Sequence, residues 1–505
     1  MIQHILIFLL AVSAFGCSPH SVTRAPAAPV ETPGNFSQST SSPLPDRWWE
    51  DFNDPGLNRV VDATISGNLQ LRASWARLRQ ASAIAVAAGA GRWPQLNFTA
   101  GAARRKIFNQ FAALDPSGRT PTSFQLNSFN ASLAAGYELD IWKKMSNQAQ
   151  AAAIDARGAR SDVEALAMSL VAEVAEAWFD LRYQQAQRTL LTDQVQLNSD
   201  VLELVELRFQ GGLATALEVL QQRQQLIATR SQLITVTGAE ALLRQRMAVL
   251  AGVAPVGEAV APSAFLITSS PTDSFVPSLP PVPGTGVPAD LLIRRPDVRA
   301  ARDRVIAADY RVAVAVADRL PSLRIGGSLD TQNTTLADLI TTPLWSIFAN
   351  LAAPLFDGHR RRAEVERNRG VLEERLAGYG QALLLAMAEV EGAIVNERQQ
   401  LLVIEDLKKQ RIVAEQNLEE ARRRYQQGLS QSGFLDVLTA LRTKQAVEIN
   451  LLGAERRVLS HRVSLCRALG GTWTQHLHAP KPLKLRSADN SEQSDELDDL
   501  KVQQR

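Results

Sequence analysis

Hydrophobic and polar positions follow two rhythms along this chain, and each rhythm occurs twice. Leu323, Ile325, Gly327 and Leu329 are interleaved with Ser322, Arg324, Gly326 and Ser328; Leu133, Ala135, Tyr137 and Leu139 are interleaved with Ser132, Ala134, Gly136 and Glu138. A period of two gives a strand one apolar and one small or polar face, and segments of about ten such residues have the dimensions of a membrane-spanning barrel strand. Four strands are predicted, near 95–105, 124–139, 322–333 and 344–355.

The second rhythm is helical. Leu191, Val195, Asn198, Leu202, Val205 and Phe209 step by four and three, and Met387, Ile394 and Leu401 by seven, which draws a narrow coiled-coil seam. These seams lie in proline-free stretches, 147–209 and 359–425, each predicted to be one helix of roughly 95 to 100 Å. Returning helices are predicted at 216–250 and 434–469, after turns at Gly211, Gly212 and Gly428, where glycine supplies the left-handed conformation that ends a helix. Shorter helices at 57–88 and 297–318 end before Pro94 and Pro321, because proline forbids helical continuation and favours extended backbone.

The recurrence is a duplication. Ala73 leads to Arg92, Trp93, Pro94, Gln95 and Leu96; 227 positions later Ala300 leads to Arg319, Leu320, Pro321, Ser322 and Leu323. Arg208, Phe209, Gln210, Gly211, Gly212 and Leu213 return 216 positions later as Arg424, Tyr425, Gln426, Gln427, Gly428 and Leu429. Val219 and Leu220 return as Val437 and Leu438, so the second copy carries a two-residue insertion after its glycine. Four strands are too few to close a barrel, and an open sheet edge cannot sit in lipid with its N–H and C=O groups unpaired. The chain is therefore expected to oligomerise, in a multiple that the strand count alone leaves open.

Composition bounds the remaining possibilities. Of the 505 residues 45% are hydrophobic and 21% charged, and the net charge is +2, which fits an ordered chain and gives no basis for nucleic-acid binding. Residues 1–16 read as a signal peptide, with an apolar run at 5–12 and small residues before Cys17. Gly16 before Cys17 is similar to a bacterial lipobox, in which the cysteine is lipidated; the alternative is an ordinary signal peptide cleaved nearby. With lipid on Cys17, Cys466 has no disulfide partner and is expected to be a small buried apolar residue. Residues 17–47 and 253–288 are rich in proline and small residues and read as linkers; 476–505 reads as a polar tail. The units between are 48–252 and 289–475. No later apolar run approaches the about 20 residues of a membrane-spanning helix, so any pore must be made of strands.

Catalytic and metal patterns are weak. None of the six histidines has the spacing of a zinc-hydrolase helix, and His476 and His478 lie at the edge of the tail. The 428–433 segment lacks the final glycine and the preceding strand of a nucleophile elbow. The basic run 359–362 reads as a solvated face, or, if close to a membrane, as a contact for lipid head groups. No enzyme activity, metal site or cofactor is expected, apart from the covalent lipid.

Several scattered motifs converge on one family. Trp48, Trp49, Phe52, Asp54, Pro55 and Leu57; Tyr137, Glu138, Leu139, Asp140 and Trp142; Pro288 to Leu292 continuing through Arg294, Arg295, Pro296 and Asp297; and Arg467, Ala468, Leu469, Gly470, Gly471 and Trp473 together resemble the TolC-like outer-membrane efflux proteins. The match is to the OprM-like lipoprotein branch, the NodT family, and it covers nearly the whole mature chain. Lys143 and Lys144 stand where the family usually has Gly and Arg. The resemblance implies an α+β membrane protein, a homotrimer whose copies each give four strands to a 12-stranded transmembrane β-barrel. That barrel continues into a long periplasmic α-helical coiled-coil barrel. Lipoproteins of this kind that, like this chain with Ser18, lack Asp after the cysteine are sorted to the outer membrane.

The implied function is the outer-membrane channel of a tripartite, RND-type efflux system, a passive conduit for drugs or other small toxic compounds. Its implied partners are a periplasmic adaptor, an inner-membrane pump and outer-membrane lipid. Type I protein secretion and metal efflux are alternative cargo routes, and a periplasmic adaptor lipoprotein is a more distant reading. Adaptor docking carries over to the hairpin tips, Gly212, Leu213 and Ala214 and Gly428, Leu429 and Ser430. A periplasmic gate carries over to Arg424, Tyr425 and Asp436, with the register of Asp436 unsettled by the insertion.

Overall fold

The computed structural model describes residues 19–37, 46–109, 121, 123–255, 279–427 and 433–481. Helices α1 (Pro55–Gly67) and α2 (Leu69–Ala90) lead into strands β1 (Gln95–Phe108) and β2 (Ser123–Leu139), the long helix α3 (Lys144–Gln210) and the returning helix α4 (Ala216–Leu250). The second half repeats this order. A helical turn (Leu291–Arg294) is followed by α5 (Pro296–Ala317), β3 (Ser322–Asn333), β4 (Leu344–Ala352), α6 (Arg360–Gln426) and α7 (Phe434–Leu469). Helices α3 and α6 have 67 residues each, about 100 Å of continuous helix.

The single helix predicted over 57–88 is two helices. Asn68 has extended backbone and breaks the run: its side-chain carbonyl accepts from the Leu71 N–H at 2.9 Å, while its Nδ2 donates to the Leu250 carbonyl at 2.8 Å. The same joint recurs 227 positions later. Arg295 is also extended, and its guanidinium donates to the Ala468 carbonyl at 3.0 Å. A glycine seals each joint. Gly252 and Gly470 have φ of 73° and 80°, and a Cβ would lie 2.2 Å from the Gly67 carbonyl oxygen in one case and 3.1 Å from that of Arg294 in the other. In both repeats a side-chain donor and a left-handed glycine thus pin the end of the returning helix to the break in the first helix.

The scattered motifs share one core. Trp48, Trp49 and Phe52 are at most 1% exposed; Trp49 meets Trp473 edge-on at 5.0 Å, and Phe52 meets Phe179 at 5.1 Å. Asp54 caps α1 by accepting from the Gly56 and Leu57 N–H groups, with Pro55 at the first helical position, and it also accepts from Trp178 Nε1 at 2.8 Å. Large rings that meet edge to face in one core explain why tryptophans near both ends of the chain belong to one motif set.

Ion pairs join the repeats. Along the α3–α5 contact Arg157 forks onto Asp303 at 2.8 and 2.7 Å, Arg304 reaches Asp162 at 2.6 Å, and Arg299 and Arg311 meet Glu164 and Asp155. The proline-rich segments are docked where described. His20 contacts Asp309 at 2.6 Å, Pro29 lies on Gly380, and Phe36 enters the second hydrophobic cluster beside Tyr379 and Leu383. Residues 279–287 also lie on the helices, with Arg462 donating to the Pro281 carbonyl at 3.2 Å. Composition showed that these segments cannot build a core; it did not show that they lie along one.

The seams are mostly as expected, with two exceptions. Leu191, Asn198 and Val205 are buried, but Phe209 is 47% exposed. In α6 the buried line passes through Leu383, Ala386, Val390, Ile394, Glu397 and Ile404, and Leu401 is 44% exposed. Leu383, Val390, Glu397 and Ile404 keep the step of seven and stay buried, whereas the row of Met387, Ile394 and Leu401 lies to one side of that line and reaches the surface at Leu401.

Candidate functional site

The sheet is a single antiparallel layer in the order β1–β2–β3–β4. Its register lines up like with like. Phe98, Leu133, Leu329 and Trp345 form one continuous apolar rung; Tyr137, Ile325 and Ala349 form another, and Leu139, Leu323 and Leu351 a third. On the other face lie Thr99, Ser132 and Asp330, which end on Leu344 at the edge, then Asn97, Ala134, Ser328 and Ser346, then Gln95, Gly136, Gly326 and Phe348, then Glu138, Arg324 and Asn350. Ser328 and Ser346 share a hydrogen bond of 2.9 Å, and Arg324 pairs with Glu138 at 3.0 Å.

Both faces are bare. Every residue of β1 and β4 is exposed, including Phe98 at 70% and Ile347 at 81%. In water such a sheet would leave its whole apolar face wet; a lipid-facing side and an aqueous side account for both faces. Strands β1 and β4 are the two edges and have no further strand beside them among the described residues. No helix among the described residues is long and apolar enough to cross a membrane.

The strand-to-helix junctions are built alike in both repeats. Lys143 (φ 57°) and His359 (φ 69°), 216 positions apart, precede α3 and α6 in left-handed backbone. In that conformation glycine would cost less than a residue with a Cβ. Asp140 accepts from the N–H groups of Met145 and Ser146 at 2.8 and 2.7 Å, and Trp142 Nε1 donates to the Pro321 carbonyl at 2.7 Å. Asp318 receives both Lys144 and Arg361, the latter at 3.1 Å. Burial raises the Asp318 carboxyl, but these two cations outweigh it and hold the group below its ordinary value.

The far ends of the helices form the tip. Helix α3 closes with Gly212 at φ 70°, the Leu213 N–H donating to the Arg208 carbonyl at 2.8 Å and the Gly212 N–H to that of Phe209 at 3.0 Å. This is a Schellman cap. Leu213 is 70% exposed, and Ala214 packs on a cluster containing Val205, Leu418, Phe434 and Val437. Gly428, Leu429 and Ser430 lie outside the described residues.

Tyr425 joins the two hairpins. Its hydroxyl donates to Glu218 Oε2 at 3.1 Å, its ring meets Phe434 at 5.7 Å, and the Arg208 guanidinium lies 4.5 Å over that ring. Burial pushes the phenol above its ordinary value, the Glu218 charge adds to this, and Arg208 opposes it. Arg424 is not part of the cluster; it pairs with Glu420 on its own helix at 2.9 Å. Asp436 sits in the first turn of α7. A groove of about 280 Å³ beside the cluster is lined by Leu204, Val205, Arg208, Tyr425 and Phe434, among others. Glu218 and Arg208 were missed in the sequence. The spacing Thr215 to Glu218 marks a helix start, but nothing local says that Glu218 faces the other hairpin.

A buried polar layer distinguishes the hairpins. Between α3 and α4, Asn198 Nδ2 donates to Thr229 Oγ1 at 3.0 Å, and Gln222 Nε2 to the Asn198 carbonyl at 2.8 Å. The corresponding positions between α6 and α7 are Ala414, Ala440 and Val447, all apolar and buried. Among the described residues no cluster of histidine, cysteine and carboxylates could hold a metal ion.

Known proteins match this chain over most of its length. The model for the family "outer membrane efflux protein" matches residues 60–253 and 287–471, one segment in each repeat. The pyoverdine export outer membrane protein OpmQ of Pseudomonas aeruginosa is 32% identical over 475 residues, 92% of this chain and 95% of that protein. The toluene efflux pump outer membrane protein TtgF of Pseudomonas putida is 26% identical over 494 residues, 94% of this chain and 98% of that protein. The solved structure of the outer-membrane channel OprN matches with a TM-score of 0.80 at 27% identity, over 91% of this chain and 100% of that one. With two matched repeats, an amphipathic bare sheet and 67-residue helices, this chain belongs to the outer membrane efflux protein family, and its place is the outer membrane.

Proposed function

We propose that three copies of this chain form the exit duct of a tripartite efflux system. Each copy contributes β1–β4 to a 12-stranded barrel, and the long helices of the three copies form a periplasmic tube. The observation that carries the reading is the apolar rung Phe98, Leu133, Leu329 and Trp345, which runs unbroken from one open edge to the other. Closure with other copies pairs those edges and puts one face in lipid. A lipid on Cys17 anchors each chain, and the docked proline-rich segment leads from it along the helices.

Cargo reaches the tube from an RND-type inner-membrane pump through a periplasmic adaptor seated on the tips around Gly212, Leu213 and Ala214 and around Gly428, Leu429 and Ser430. The tip closes by the contact of Tyr425 with Glu218, with Arg424 and Asp436 as charged groups at the same constriction. Small organic compounds, drugs among them, are the cargo class. Relatives named for pyoverdine and toluene export support this. Detergent-extracted protein is expected to migrate as a heat-modifiable trimer and to give discrete conductance steps in a planar bilayer. A soluble monomer without conductance would overturn the proposal.

A further inference from the structure

Every strand reaches the helical portion at the same end of the sheet. Leu139 pairs with Leu323 and Ser322 with Ala352, so the residues just beyond these ends share one level. That level is basic. Arg92 and Arg319 precede β1 and β3, Lys143 follows β2, and Arg360 and Arg362 follow β4; all five are exposed. The duplication relates three of them: Arg92 is equivalent to Arg319, and Arg360 to Lys144, the neighbour of Lys143.

The nearby carboxylates are already occupied. Asp140 accepts backbone N–H groups, Asp318 holds Lys144 and Arg361, Asp357 holds Arg361 at 3.1 Å, and Glu138 holds Arg324. Arg92, Lys143, Arg319 and Arg362 make no ion pair among the described residues, and Arg360 acts on Asp357 through its charge without a direct contact. Large apolar side chains stand bare at the same level: Trp93 is 72% exposed, Leu355 96% and Phe356 88%. Cations alone fit any solvated face. Cations beside bare aromatic and aliphatic groups, at the end of a lipid-facing sheet, fit the boundary where acyl chains give way to phosphates.

We propose that this belt binds phospholipid phosphates of the periplasmic leaflet, with preference for anionic head groups, and so fixes the depth of the sheet. The inference rests on the outer-membrane placement of the sheet and not on the gate or the cargo. Left-handed Lys143 fits the role, since lysine there carries a charge that glycine would not.

The test uses the full-length protein in phosphatidylcholine vesicles with trace spin-labelled phosphatidylglycerol or phosphatidylcholine, and reads the motionally restricted lipid by electron spin resonance. The wild type is expected to favour phosphatidylglycerol about fivefold, the effect of one phosphate–cation contact at a membrane surface, and to lose the preference in high salt. Combined Arg92→Gln, Lys143→Gln, Arg319→Gln, Arg360→Gln and Arg362→Gln should bring the ratio to about one, and Arg360→Gln with Arg362→Gln alone should lower it in part. Lys408→Gln with Arg411→Gln, on the exposed middle of α6, should leave it unchanged. Retained conductance separates loss of the belt from loss of the channel. A wild-type ratio of one, or a preference that survives both belt variants, would overturn the proposal. So would a preference abolished by inorganic phosphate but not by chloride at equal ionic strength, which would mark a small-anion site.

Discussion

Replacing Tyr425 with phenylalanine removes one oxygen and leaves the rest of the tip contact intact. The ring still meets Phe434, and Arg208 still has an aromatic face 4.5 Å away. What goes is the donor to Glu218. At 3.1 Å that bond is long for a hydroxyl donor, so its charge-assisted strength is discounted to about 1 kcal/mol. Under the proposed closure at the tip, losing it shifts the closed–open balance about fivefold per chain. If three such contacts must break together, the variant favours the open state by about 3 kcal/mol, roughly two orders of magnitude.

Planar-bilayer recording measures this directly as the fraction of time spent in high-conductance states. Glu218→Gln is the matched control: the amide oxygen still accepts, so only the charge is lost and the effect should be smaller. Because both changes remove parts of one interaction, the double variant should open less than the sum of the single effects. Unchanged open probability in Tyr425→Phe, or strict additivity with Glu218→Gln, would refute the idea that this hydroxyl holds the hairpins together.

Other expectations follow from the junctions and the core. Lys143→Gly and His359→Gly should each raise the dissociation temperature of the oligomer, because left-handed backbone costs a side chain about 1 kcal/mol; for Lys143 this gain comes at the expense of lipid preference. Asp318→Asn should destabilise the junction near neutral pH. Lys144 and Arg361 hold the Asp318 carboxyl below the ordinary aspartate range, so its stabilisation is present above that range and is lost as pH falls through the lowered folded value; melting curves of variant and wild type should converge there. Burial pushes the Cys466 thiol up to about 12, so a thiol reagent at pH 8 should react only after unfolding. With lipid on Cys17, the unfolded chain should then titrate one thiol.

The sequence carried the local rules. Period-two alternation at 133–139 and 323–329 marked strands, and proline-free stepping marked α3 and α6, because faces and lengths are set by the backbone period alone. Gly212 announced its cap. The break at Asn68 did not show, because an asparagine within a helical pattern becomes a joint only when the Leu250 carbonyl arrives 182 positions later to receive it. The tip was half legible: Tyr425 lay in the duplicated motif, but Glu218 came from the other hairpin and Arg424 turned to its own helix.

Sequence by itself thus determined the duplication, the kinds of element, the amphipathic strands and hence the need for a membrane and for further copies. Tertiary structure decided which apolar residues share a rung, which charges pair across repeats, and which remain bare. Those outcomes depend on register and on the approach of segments more than a hundred positions apart, and no local period encodes them.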